Sequence, residues 1–129
     1  MSKRTSNGEK RILVIDDDAD IALVLASMVE DAGYQVTTID RGDYLEQIDQ
    51  FDAGALPDLI LLDMLLSGQD GRQIARRLKG QATTRRIPIV MLSAHPDAQR
   101  EALDAGADAF LAKPFDLDAL LATIAAYLG

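Results

Sequence analysis

Asp16 and Asp17 follow the apolar run ILVI, Asp63 follows LILL, Ser93 follows IVML and Lys113 follows AFLA. Two adjacent carboxylates with a third beside them repel one another and raise each other's pKa. A divalent cation reverses that penalty, and hard oxygen ligands of this kind suit Mg²⁺ completed by water. A carboxylate beside such a cation can attack phosphorus and become an acyl phosphate, because the metal screens the approach of two anions. Asp63 is the candidate nucleophile. Ser93 offers a hydroxyl and Lys113 an ammonium for the remaining phosphoryl oxygens. Taken singly, Asp17 or Ser93 would be read as a turn or helix-start residue. The functional reading rests on their conjunction at four strand ends.

Those strand ends belong to a βα rhythm. Short apolar runs at 12–15, 35–39, 59–62, 87–92 and 109–111 alternate with helical patterns, which predicts an α/β domain with a parallel sheet. In such a sheet the residues just past the carboxyl ends collect along one edge, where ligands bind. Ile21, Val24, Leu25, Met28, Val29 and Ala32 recur at helical spacing and predict a first helix with that face inward, ended by Gly33. Tyr44, Leu45, Ile48 and Phe51 predict a second helix, and Ile74, Ala75 and Leu78 a third between Gly71 and Gly80. A fourth runs from about Pro96 to Ala105, with alanines and one leucine on its inner face and Gly106 at its end. It buries little apolar area. Leu117, Leu120, Leu121, Ile124 and Leu128 mark the fifth, capped by Asp116. LILL and IVML are apolar throughout, as central strands covered on both faces must be, whereas QVTTI is half polar and belongs at an edge. Right-handed crossovers then favour a doubly wound, five-stranded sheet of order 2-1-3-4-5 with helices on both faces.

The chain has 129 residues, enough for one domain with its own core. Residues 1–10 read as a flexible tail and 11–129 as the folded unit. A net charge of −8 argues against a general nucleic-acid surface. The basic cluster Arg72, Arg76, Arg77, Lys79, Arg85 and Arg86 is better explained as cations at a helix C-terminal end. Cysteine is absent, which excludes disulfides and thiolate metal sites. No secretory signal and no membrane-length apolar run is present, so a cytoplasmic location and no membrane partner are expected. Asp16, Asp18 and Asp20 alternate like a calcium loop, but Ile21 stands in place of its glycine and Ser27 in place of its glutamate. Arg41-Gly42-Asp43 is assigned no function.

LVIDDD, PDLILLDMLLSGQDG, IVMLSA and FLAKPF together resemble the receiver domains of two-component response regulators, whose fold is the flavodoxin-like sheet of chemotaxis receivers. The resemblance covers nearly residues 11–128. It implies that Asp16 and Asp17 hold Mg²⁺ with Asp63 and the Leu65 backbone carbonyl. It further implies that Asp63 takes a phosphoryl group from a sensor histidine kinase or histidine phosphotransfer protein, with Ser93 and Lys113 binding that group. Ser93 and Phe110 become switch residues, Leu65 and His95 positions that set phosphoryl lifetime, and Lys113–Pro114 a cis peptide. The implied output is a changed affinity for a downstream protein at the face formed by the fourth helix, fifth strand and fifth helix, with no enzymatic turnover beyond self-phosphotransfer and autodephosphorylation. Two departures stand out: Leu66 and Ser67 replace the family's usual Met-Pro, which predicts a more mobile loop. Phe110 also lacks a hydroxyl for any switch hydrogen bond.

Two other classes share some of these features. A haloacid-dehalogenase-like phosphatase also uses an aspartyl phosphate and Mg²⁺, but Asp20 breaks its motif and Asp63 would have no nucleophilic role. A receiver-like module that works without phosphorylation would lack the acids or the lysine, and all are present. With nothing after the fifth helix, the sequence reads as a stand-alone regulator or an excised piece.

Overall fold

The computed structural model describes residues 9–51 and 53–128; most of the tail read at residues 1–10 lies outside them. Five parallel strands form the sheet: β1 (Arg11–Ile15), β2 (Gln35–Ile39), β3 (Leu59–Asp63), β4 (Ile89–Ser93) and β5 (Ala109–Ala112). Their order is β2-β1-β3-β4-β5, the predicted doubly wound arrangement with QVTTI at one edge. Every residue of β3 and β4 is buried. β4 starts at Ile89, two residues later than the apolar run suggests. Pro88 precedes it and has no N–H to donate to a ladder.

Five helices cover the sheet: α1 (Ala19–Asp31), α2 (Tyr44–Asp49), α3 (Gly71–Lys79), α4 (Gln99–Asp104) and α5 (Leu117–Leu128). The period-two alternation of each strand divides the core in two. Ile12, Val14, Leu59, Leu61, Val90 and Leu92 face α1 and α5, meeting Leu25, Val29, Leu120 and Ile124. Leu13, Ile15, Ile60, Leu62, Ile89 and Met91 face the other way, against Tyr44, Ile48, Ile74 and Leu78 of α2 and α3. Each fully buried leucine or isoleucine contributes about 1.5–3 kcal/mol, so both layers are needed to offset chain entropy.

Local chemistry sets the helix ends. Asp18 caps α1 by accepting from the N–H groups of Asp20 and Ile21, and Asp43, Asp70 and Asp116 do the same for α2, α3 and α5. This gives Asp18 of the calcium-like acids and Asp43 of the Arg-Gly-Asp tripeptide structural jobs. Gly33 follows α1 at φ +104°, a left-handed conformation in which a side chain would be strained.

Two faces differ from expectation. In α1 the inward row is Ala22, Leu25, Ala26 and Val29, while Ile21 is 39% and Val24 53% exposed. The helix is apolar over more than half its circumference, so spacing alone does not choose its rotation. Small alanines let it approach the sheet closely. In α4, preceded by a 3-10 turn at Pro96–Ala98, only Ala98, Ala102 and Ala105 are buried, and Leu103 faces outward. The helix is seated by methyl groups, which contribute little burial.

Candidate functional site

Strand register builds the site. Ile15 pairs with Leu62, Asp63 with Leu92, and Ser93 with Ala112. Asp16, Asp63, Ser93 and Lys113 are therefore neighbours along one edge of the sheet, and Asp17 is the next residue out. One carboxylate oxygen from each of Asp16, Asp17 and Asp63 lies within 4.8 Å of the others. Lys113 Nζ is 3.4 Å from Asp16 Oδ2 and 3.6 Å from Asp63 Oδ2.

The electrostatics of the three acids differ. Asp16 is fully buried, and its Oδ1 accepts the Asp18 N–H at 3.0 Å. Asp63 is 9% exposed, and burial raises its pKa. Lys113 opposes that rise, while Asp16 adds to it and a backbone hydrogen bond from Leu65 works against it. Asp17 is lowered, first by the Ser67 hydroxyl and further by the Ser67 amide. Its Oδ2 accepts both donors, at 2.6 and 2.8 Å. One ammonium does not neutralise three carboxylates held this closely. An oxygen-only donor set with excess negative charge fits a hard divalent cation such as Mg²⁺.

The remaining expected residues surround this cluster. Ser93 is buried at the end of β4; its Oγ accepts the His95 N–H at 3.1 Å, and its carbonyl accepts the Lys113 N–H at 2.7 Å. The Lys113–Pro114 peptide bond is cis. The Leu65 side chain is 56% exposed. His95 borders a shallow cleft of about 330 Å³ together with Met64, Leu65, Arg72 and Glu101, over the acceptor loop. Phe110 is half-buried in β5 and packs on the α2–α4 side of the core. The basic cluster is partly committed: Arg72 pairs with Asp70 and Glu101, and Lys79 with Asp108 and the Ile87 carbonyl.

Two residues at the site carried no functional signal in the sequence. Ser67 registers there only as a departure from a loop pattern. Tyr44 reads as an apolar helix residue, yet it is buried, and its phenol is pushed up by burial and then by Asp17, Asp40, Asp16 and Asp63. On the outer side of Lys113, an apolar groove of about 560 Å³ is lined by Ile21, Val24, Met28, Ala94, Pro114 and Phe115.

A five-stranded doubly wound sheet with acids, hydroxyl and lysine at its carboxyl edge defines a class of signalling domain. The response regulator receiver domain family matches residues 12–125, and the chain belongs to it. It is 38% identical over 121 residues to the phosphate regulon transcriptional regulatory protein PhoB of Klebsiella pneumoniae, covering 92% of this chain and 52% of that protein. The chain thus spans about half the length of the curated relatives it matches. Among solved structures, a protein of Chloroflexus aurantiacus assigned to the response regulators superposes with a TM-score of 0.83 at 32% identity, covering 93% of this chain and 98% of that one. The chemotaxis protein CheY4 of Vibrio cholerae gives 0.81 at 28% identity, with 93% and 99% covered. Among the described residues no helix is long and apolar enough to cross a membrane.

Proposed function

We propose that this receiver accepts a phosphoryl group on Asp63 from a phosphohistidine and uses the added charge to change its affinity for a partner protein. One observation carries the reading: Asp63 sits nearly buried at the end of β3, within reach of Lys113 and beside two further carboxylates. Asp63 Oδ attacks phosphorus, the phosphorus–nitrogen bond of the donor imidazole breaks, and the nitrogen leaves with its electron pair. Lys113 balances the charge arriving on the phosphoryl oxygens, and the Ser93 hydroxyl, whose oxygen accepts the His95 N–H, is free to donate its hydrogen to one of them. Asp16, Asp17, Asp63 and the Leu65 carbonyl would hold Mg²⁺, which would supply the charge neutralisation that lets two anions meet. Hydrolysis or return to a histidine resets the site. Such a cycle is signalling and not turnover of a small-molecule substrate.

The output follows from the same geometry. A phosphorylated side chain gains about −1.5 to −2 charges. Drawing Ser93 and Lys113 toward it pulls on the ends of β4 and β5, and α4, seated only by alanines, is the helix least able to resist. Phe110 repacks with it, and the surface of α4, β5 and α5 is what a downstream protein reads. Near-complete switching needs about 5.5 kcal/mol of differential stabilisation, within reach of one ammonium contact, one hydroxyl contact and a repacked aromatic.

Incubation with Mg²⁺ and acetyl phosphate tests the acceptor. A mass gain of one phosphoryl group on the Asp63 peptide is expected, and its absence in the presence of Mg²⁺ defeats the reading. The groove beside Lys113 is the proposed approach of the donor protein, because it is apolar and adjoins the acceptor. Val24→Glu puts a charge there at a position 53% exposed, so the fold is retained. Transfer from a kinase or histidine phosphotransfer protein should then slow by roughly tenfold or more, as for loss of an interface anchor. Labelling by acetyl phosphate should be unchanged. Equal slowing of both reactions would move the donor surface elsewhere.

A further inference from the structure

Ser67 lies four residues past Asp63, in the turn between two short antiparallel segments, Leu65–Leu66 and Gln69–Asp70. Its N–H and its hydroxyl both donate to a single atom, Asp17 Oδ2, at 2.8 and 2.6 Å. The contact joins positions 50 residues apart and ties the loop after β1 to the loop after β3. A proline at 67 could make neither bond. Asp17 is also the most solvent-open acid of the cluster, so it is the ligand an incoming cation meets first.

A carboxylate oxygen with two short donors has its lone pairs engaged by hydrogen. A cation binding to that oxygen needs the same lone pairs and repels the donor hydrogens. We propose that Mg²⁺ takes Asp17 through this same Oδ2 and that Ser67 is a clamp competing with it: the clamp holds Asp17 in the metal-free protein, releases it when Mg²⁺ binds, and so sets the affinity and speed of metal entry. The inference rests on the reading that Asp16, Asp17 and Asp63 take Mg²⁺, and it concerns this chain's own loop residue. Phosphoryl uptake that depends on Mg²⁺ would then respond to cation concentration over a higher range than in a receiver without the hydroxyl.

Calorimetric titration of Mg²⁺ into the parent, Ser67→Ala and Ser67→Thr tests the clamp without any phosphotransfer. Ser67→Ala removes the hydroxyl donor and should tighten Mg²⁺ by roughly fivefold, the net weight of one ordinary hydrogen bond at a partly exposed site. Ser67→Thr keeps the hydroxyl and should bind like the parent. Thermal unfolding supplies a second readout: Ser67→Ala should lower the melting temperature in EDTA and leave it unchanged at saturating Mg²⁺. Weaker or equal Mg²⁺ binding by Ser67→Ala, or an equal loss of stability with and without metal, overturns the clamp. A parent that binds no Mg²⁺ overturns the metal reading itself, and the clamp with it.

Discussion

Asp63→Asn is expected to fold at least as well as the parent and to take up no phosphoryl group from acetyl phosphate or from a phosphohistidine donor. The loss should be complete on the timescale of parent labelling, because an amide nitrogen or oxygen is a far poorer nucleophile than a carboxylate. Asp16 is buried and engaged by Lys113 and the Asp18 N–H, and Asp17 is held by Ser67 or, once Mg²⁺ binds, would be committed to the metal, so neither is free to substitute. Mass spectrometry of intact protein and of its peptides decides the matter: continued labelling of Asp63→Asn relocates the acceptor.

The stability half of that prediction follows from proton linkage. Burial raises the Asp63 pKa above its ordinary value of 3.8, with Lys113 opposing and Asp16 adding. The folded state therefore holds that proton more tightly than the unfolded chain. Stability falls as pH rises from the unfolded value to the raised folded one, and the whole cost persists above it. Asp17 has the opposite sign: its lowered pKa gives stability that is present above the unfolded value and lost as pH falls through the folded one. Asp63→Asn removes only the first effect. In EDTA its urea midpoint should exceed the parent's at about pH 7, and the gap should close as pH falls below the ordinary carboxylate value of 3.8, where Asp63 is protonated in the folded and unfolded parent alike. A gap that stays constant with pH would mean that the Asp63 charge does not oppose folding.

How much of this was legible in the sequence varies by element. LILL and IVML had to be central, because only a strand covered on both faces can be apolar at every position. The two aspartates, Ser93 and Lys113 had to converge, because parallel strands deliver their carboxyl ends to one edge. The rotation of α1 was not legible. Ile21 through Ala26 are all apolar, so periodicity selected the larger side chains, whereas packing turned the small Ala22 and Ala26 inward beside Leu25 and Val29. The same preference for small residues turned Leu103 outward from α4. The Ser67–Asp17 bonds were also out of reach, since they depend on the path of a turn across 50 residues of chain. Side-chain type announces chemistry at strand ends, but contacts between loops are fixed only by the folded backbone.

Gly71→Ala is the substitution in which local and tertiary preferences conflict most sharply. Gly71 opens α3, and helix propensity alone favours alanine over glycine by about 0.8–1 kcal/mol. Space opposes it. A Cβ built there would lie 2.3 Å from the Asp63 carbonyl oxygen and 2.9 Å from both the Met64 Cα and the Met64 carbonyl oxygen. All three are backbone atoms, so no rotamer change relieves the clash, and either α3 or the end of β3 must move. Overpacking of this kind costs about 1–3 kcal/mol and more where backbone shifts, which exceeds the propensity gain and takes a large share of a domain's about 5–15 kcal/mol. The strand end that must give way carries the acceptor, and Gly71 N–H is bonded to the Met64 carbonyl at 2.8 Å. Displacement there misplaces Asp63 against Lys113. The expected result is a urea midpoint well below the parent's, together with acetyl phosphate labelling slowed by roughly a hundredfold in the fraction that remains folded, the penalty of an ångström-scale misplacement. Gly54→Ala, at a glycine with nothing within 4 Å of a built Cβ, serves as the control and should leave both quantities near the parent's. A Gly71→Ala protein as stable as the parent would mean that β3 and α3 are not locked together at this crossing, and that the acceptor is positioned by the sheet alone.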